Sequence, residues 1–235
     1  MTEPVACEWG LHGVQTLREH AAVLIIVDVL SFSTAVDVAL ARGASIIPFP
    51  LGDPALARAA AESKGALLAT PRRAGAQFSL SPATLRELPA GAQLLLPSPN
   101  GSRLSLEAAP VPVFTACLRN FAATAAAAAK LAGSRMIGVI PAGERWPDDT
   151  LRPAIEDWCG AGAVIDALDR PMTAEAKVAR DAFRAAGNDL PRLTQDSLSG
   201  RELIDRGFAI DVELASAIGI SAIAPQLVDG AYRPG

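Results

Sequence analysis

The chain has 235 residues, half of them hydrophobic and 20% charged, with a formal net charge of −4. That is enough apolar content for a substantial core and too much for a disordered chain. Eleven aromatics against 47 alanines leave a core of aliphatic side chains and closely packed helices, which favours α/β over all-β. His12 and His20 are the only histidines and show no metal-ligand spacing, which excludes a multi-histidine zinc site. Three widely separated cysteines, Cys7, Cys117 and Cys159, argue against a disulfide framework and for a reducing, cytoplasmic setting. The longest apolar run, 21–27, is far shorter than a membrane span, so neither secretion nor an anchor is expected. No block of Lys or Arg marks a nucleic-acid surface, and a small-molecule ligand is expected instead.

Apolar, β-branched runs alternate with Ala-rich amphipathic segments, the pattern of βαβ units around a largely parallel sheet. In chain order the pattern predicts a strand over 22–28, a helix over 33–42, a strand over 45–49 and a helix over 53–64. Strands follow over 66–69, 93–96 and 111–115, then a helix over 120–132 and a strand over 135–140. Helices over 153–168, 173–186 and 199–218, the last broken at Gly207, precede a final strand over 221–224. Asp53 before Pro54, and Thr173 followed by Glu175, read as helix N-caps. No repeat or linker divides the chain, so one domain over 1–235 is expected, with 170–218 a possible helix-rich lobe.

In an open parallel sheet, ligands bind outside the carboxyl ends of the strands. Here those exits read Asp28-Val29-Leu30-Ser31-Phe32-Ser33-Thr34, Pro97-Ser98-Pro99-Asn100-Gly101-Ser102-Arg103, Ala116-Cys117-Leu118-Arg119-Asn120 and Pro141-Ala142-Gly143-Glu144-Arg145. Short polar residues and Gly before a helix expose N–H groups to an anion, so Asn100, Gly101, Ser102 and Arg103 are the best phosphate or sulfonate cradle. Ser33 and Thr34 read either as anion ligands or as helix N-caps. Asp28 closes an apolar strand, where a carboxylate must be hydrogen-bonded or serve as ligand, base or nucleophile. Glu144 and the pair Glu156-Asp157 supply further acids. Gly160, Ala161 and Gly162 after that pair let their helix approach another backbone closely. Asp148 and Asp149 beside Pro147 read as a solvated turn. An oxygen-only acidic site suits Mg²⁺, and Mg²⁺ beside an anion cradle suits phosphoryl chemistry.

These segments together resemble the 2-phosphosulfolactate phosphatase family, Mg²⁺-dependent phosphatases of coenzyme M biosynthesis. The resemblance rests on Asp28-Val29-Leu30 with Ser33-Thr34, Ser98-Pro99-Asn100-Gly101-Ser102-Arg103, Arg119-Asn120 and Ala142-Gly143-Glu144. It rests also on Glu156-Asp157 with Gly160-Ala161-Gly162, and on Asp211-Val212. It implies a three-layer α/β/α fold with a mostly parallel, mixed sheet, and hydrolysis of (2R)-2-phospho-3-sulfolactate to 3-sulfolactate and phosphate. It implies Asp28, Glu144 and Asp157 as catalytic acids, the same three with Glu156 as Mg²⁺ ligands, and Ser33, Thr34, Asn100, Gly101, Ser102, Arg103, Arg119 and Asn120 as substrate ligands. Arg72, Arg73 and Arg145 add positive charge beside these loops.

The chain departs from the family at Ser31, where members carry Arg. It departs also at Thr70-Pro71-Arg72-Arg73 and Leu80-Ser81-Pro82, where members show Gly-Glu-Arg and Asn-Ser-Pro. A phosphatase of another 2-phospho acid or sugar acid, or a non-catalytic anion-binding member, therefore stands as an alternative. Whether Asp28 is nucleophile or metal ligand stays open, and an Ala-rich, aliphatic surface is compatible with a homodimer.

Overall fold

A computed structural model describes residues 1–73 and 75–235. The strands are β1 (Val5–Cys7), β2 (Val23–Val27), β3 (Ser45–Pro50), β4 (Leu67–Leu68), β5 (Gln93–Ser98), β6 (Val113–Ala116), β7 (Ile137–Pro141), β8 (Glu144–Arg145), β9 (Leu151–Arg152), β10 (Pro225–Val228) and β11 (Ala231–Pro234). The helices are α1 (Gly10–Leu17), α2 (Phe32–Ala41), α3 (Pro54–Ser63), α4 (Pro82–Leu85), α5 (Gly101–Glu107), α6 (Phe121–Ala132), α7 (Ile155–Leu168), α8 (Ala174–Ala186), α9 (Leu190–Asp196), α10 (Leu198–Asp205) and α11 (Ala209–Ala215). Nine strands form one mixed sheet in the order β1-β7-β2-β6-β10-β11-β3-β5-β4, and β8 pairs with β9 apart from it.

The expected three layers are present because strands such as β2 are apolar on both faces. Val23, Ile25 and Val27 pack with alanines of α6, α7 and α8, while Leu24 and Ile26 pack with Val14 and Leu17 of α1 and with α2. The segment after Arg170 adds Ala176, Ala179, Leu190, Leu203 and Val212 to the first of these clusters.

Two parallel blocks, β1-β7-β2-β6 and β3-β5-β4, are joined by the antiparallel hairpin β10-β11. This hairpin corrects the expected strand over 221–224. There the Ser221 N–H donates to the Arg119 carbonyl and its hydroxyl to Asp37, and the strand begins only at Pro225. Asp229 and Gly230, both at positive φ, turn the hairpin, and this Asp-Gly dipeptide was the signal in the sequence. A single bridge on each side, Gln226 with Phe114 and Tyr232 with Ile46, attaches the hairpin to the two blocks. Strand direction reverses across it, yet the exits of β2 and β5 meet, since the Gly101 N–H donates to Asp28.

β1, α1, α4, α5, β8, β9 and α9 are short elements outside the expected set. The expected caps form, with Asp53 accepting from the Ala55 N–H and Thr173 from the Ala176 N–H. The long C-terminal helix is broken as expected, α10 ending before Gly207, whose φ is +86°. Among the described residues no helix is long and apolar enough to cross a membrane, and all three cysteines are free and buried.

The small residues of α7 do what their size suggested. A Cβ on Gly162 would lie 2.1 Å from the Ala179 carbonyl oxygen of α8, and one on Gly160 would lie 2.8 Å from a Val29 methyl. Gly162→Ala is expected to lower unfolding free energy by about 1–3 kcal/mol through overpacking against α8. Urea denaturation checks it, and an unchanged midpoint would contradict the close approach.

Candidate functional site

Asp28 leaves β2 only 5% exposed. Its Oδ1 accepts the Phe32 N–H (3.0 Å) at the start of α2, and its Oδ2 accepts the Gly101 N–H (2.9 Å) at the start of α5. Asp157, in the first turn of α7 and 3% exposed, accepts the Val29 N–H (2.7 Å) on Oδ1 and the Gly143 N–H (2.9 Å) on Oδ2. Each carboxylate thus links two strand exits by charge-assisted hydrogen bonds, which are the strong kind.

Glu144, half-buried at the exit of β7, accepts from the Asn100 side-chain amide (2.9 Å). Glu156 is 2% exposed, and its Oε2 has no partner among the described residues. The four acids act on one another. Burial, opposed by the Phe32 and Gly101 N–H donors and reinforced by the charge of Glu156, pushes the Asp28 carboxyl up to about 6. Burial and the charge of Asp28 push Glu144 up to about 7, against the pull of Asn100 and Arg152. Burial first, then Asp28 and Glu156, hold Asp157 well above the usual carboxylate range.

Arg72 faces this cluster and its charge acts on both Asp28 and Glu144, while Arg152 acts on Glu144. Arg72 donates from Nη2 to the Ser31 hydroxyl and to the Leu80 carbonyl, both at 2.8 Å. Its Nε lies 3.6 Å from Asp211, and its guanidinium lies over the Phe208 ring. Asp211 also accepts from the Ser81 hydroxyl and the Ala83 N–H, which fixes the loop before α4. The sequence named Asp211 without a role, because its partners lie about 130 residues away.

Several expected ligands are engaged elsewhere. The Ser33 hydroxyl accepts the Asp28 N–H and pairs with the Thr115 hydroxyl, and Thr34 donates to the Val29 carbonyl. Neither side chain caps its helix. Ser102 donates to the Leu96 carbonyl, and the Gly101 N–H is held by Asp28, so the expected anion cradle at this turn is filled by the protein's own carboxylate. Asn120 is fully buried and accepts the Cys117 N–H. Arg119 forms a buried ion pair with Asp37 (2.7 Å) and donates to the Leu214 carbonyl, so it is committed to holding α2 and α11. Asp148 accepts from Thr150 in the exposed turn read from the sequence.

Two cavities flank Glu144. One, of about 500 Å³, is walled largely by apolar side chains and carries Arg58, Arg72, Glu202 and Arg206. The other, of about 360 Å³, is more polar and carries His12, Asn100, Arg103 and Arg145, the last ion-paired with Asp149. His12 and the apolar walls were not foreseen, because they converge from segments far apart in sequence.

The donors suit a hard cation: all are oxygens, they are crowded with negative charge, and the buried Glu156 oxygen lacks a partner. Among the described residues, no three His, Cys, Asp or Glu side chains already surround one point as ligands would. Mg²⁺ is commonly held by one or two carboxylates with water and substrate oxygens completing its shell, so the residues present fit that kind of site.

The raised carboxyls fix the sign of a pH effect in metal-free protein. The folded state binds protons more tightly than the unfolded state, whose ordinary values are 3.8 for Asp and 4.5 for Glu. The stabilisation is full below those values and is lost as pH rises through about 6 and 7. Urea denaturation in the presence of chelator should show stability falling between about pH 4 and 7, with a shallower slope in Glu156→Gln. A rising slope would contradict the clustering.

The chain is similar to known proteins over most of its length. Residues 12–230 match the sequence profile of the family described as 2-phosphosulpholactate phosphatase. Two proteins, from Thermotoga petrophila and Thermotoga maritima, each named as a probable 2-phosphosulfolactate phosphatase, are 26% identical to the chain over 215 residues, covering 88% of it and 90% of their own length. With the match running across every strand exit that carries an acid of the cluster, the chain belongs to the 2-phosphosulfolactate phosphatase family of phosphoric monoester hydrolases.

Proposed function

We propose that this protein is a Mg²⁺-dependent phosphatase of an anionic 2-hydroxy acid, with (2R)-2-phospho-3-sulfolactate as the first substrate to test. Water adds to phosphorus, the ester P–O bond breaks, and the 2-hydroxy acid and inorganic phosphate leave. The observation that carries this reading is the cluster of three buried acids, Asp28, Glu156 and Asp157, with the half-buried Glu144, facing Arg72 beside a cavity. A phosphomonoester placed there meets the guanidinium, which neutralises phosphate charge and fixes orientation.

Asp28 and Glu156, whose charges press on one another, with Asp157 beside them, are the groups that would hold Mg²⁺. When bound, the ion would offset charge on the transferring phosphoryl group. Asp28 borders neither cavity, and both of its oxygens are held by N–H donors, which favours ligand over nucleophile. Glu144 reaches both cavities. With a carboxyl pushed up to about 7, it can carry a proton to the departing alkoxide oxygen near neutral pH. Asn100 holds the Glu144 carboxylate in place.

A second reading, a phosphatase of another 2-phospho acid, is favoured by Ser31 and by the apolar wall next to Arg72.

Phosphate release should be lost on adding EDTA and restored by Mg²⁺. Glu144→Gln should lower kcat by about 100-fold and remove an activity decline that sets in above about pH 7. Arg72→Ala should act mainly on KM. No turnover across a broad panel of phosphoesters with Mg²⁺ present would overturn the enzymatic reading in favour of a binding-only member.

A further inference from the structure

Helix α10 stops at Gly207, the break read from the sequence, in a motif that fixes the residues around it. The Gly207 N–H donates to the Ile204 carbonyl and the Phe208 N–H to the Leu203 carbonyl, the paired bonds of a glycine stop, with Gly207 at φ +86°. Arg206 is thereby set beside Phe208, and its guanidinium lies 5.8 Å from the centre of that ring. The Arg72 guanidinium lies 5.4 Å from the same centre. Phe208 packs against the core cluster that includes the alanines of α6, α7 and α8, so both cations rest on a fixed platform.

Both arginines line the cavity of about 500 Å³ beside Glu144, and Arg58 of α3 adds a third positive charge to it. These charges are not equally engaged. Arg72 is flanked by Asp211 and bonded to Ser31 and Leu80. Glu202, the second acid of the cavity, is ion-paired with Arg152 at 3.0 Å. Among the described residues Arg206 has no ion-pair partner. Its charge reaches Arg72, which burial lowers first, Asp211 raises and Arg206 lowers further. Two guanidiniums brought onto one ring repel each other, and an anion between them relieves that repulsion.

A phosphate seated at Arg72 and Glu144 leaves Arg206 to face what is attached to the ester oxygen. On a 2-hydroxy acid that is a carboxylate or a sulfonate, and a guanidinium fork matches either. We infer that Arg206 is a specificity-determining residue, binding the substrate oxyanion that accompanies the phosphate while Arg72 takes the phosphate itself. This rests on the phosphatase reading above and assigns the residue that reads the acid end of its substrate.

The test uses the full chain with Mg²⁺ and compares wild type with Arg206→Ala, Arg206→Lys and Arg201→Ala, the last removing a cation of the same helix outside the cavity. Arg206 is exposed at its helix end, so its replacement leaves the core intact. The substrates are 2-phospho-3-sulfolactate, 2-phospholactate and isopropyl phosphate, which carry a sulfonate with a carboxylate, a carboxylate alone, and no acid beside the phosphate. Arg206→Ala should cut the ratio of kcat/KM for the sulfolactate ester over isopropyl phosphate by about tenfold or more, the size of a charge-assisted hydrogen bond. Arg206→Lys should recover part of that ratio, and Arg201→Ala should keep it at the wild-type value. A fall confined to the sulfolactate ester assigns the sulfonate to Arg206, and one shared by the lactate ester assigns the carboxylate. Equal falls for all three esters, or no fall, overturn the inference and leave the phosphatase reading standing. If no ester is turned over, the phosphatase reading fails and calorimetry with 3-sulfolactate decides the subsite. Binding about tenfold weaker in Arg206→Ala sustains it, and unaltered or absent binding overturns it.

Discussion

Two buried aspartates joined to backbone N–H groups set the geometry on which the rest of the molecule depends. Asp28 holds the starts of α2 and α5, and Asp157, carried on α7, holds Val29 after β2 and Gly143 after β7. Three strand exits are thereby locked to one another. A carboxylate taken out of water is costly alone, and two N–H donors per side chain offset much of that cost. They leave the repulsion between the acids in place, and the carboxyls of Asp28, Asp157 and Glu144 are raised by burial first and by that repulsion as well. The fold therefore maintains a pocket of negative charge that favours protons or cations.

Arg72 supplies the protein's own share of that positive charge, and its placement shows how indirectly a site can be built. The side chain comes from the connection after β4, reaches Ser31 after β2 and is flanked by Asp211 of α11. Asp211 also holds Ser81 and Ala83, so the loop that carries the far wall of the cavity and the guanidinium that faces the acids share one anchor. Glu144 stands between two cavities, one with apolar walls and three arginines and one carrying His12, Asn100, Arg103 and Arg145.

The sequence made the strand exits legible, and with them Asp28, Glu144, Glu156 and Asp157 as a set, because apolar runs ending in acids are visible locally. The close approach of α7 was readable from Gly160 and Gly162 for the same reason. The inward turn of Ser33, Thr34, Gly101 and Ser102 was not. Whether an N–H or hydroxyl faces a ligand depends on whether a carboxylate elsewhere has already taken it, and the partners here are 73 residues apart for Asp28 and Gly101 and 128 for Asp157 and Val29. Arg119 read as an anion ligand because its loop has the right form, while its charge is taken by Asp37 within α2. The C-terminal hairpin escaped notice through the weight given to the apolar run before it, although Asp229-Gly230 marked its turn.

The central claim, that the carboxylate cluster and Arg72 together form the phosphoryl site, is tested most directly by a crystal structure with Mg²⁺ and vanadate. The account predicts the metal on Asp28, Glu156 or Asp157 and the vanadate between it and Arg72, next to Glu144. Vanadate seated instead among His12, Arg103 and Arg145, with no metal at the buried acids, would contradict it.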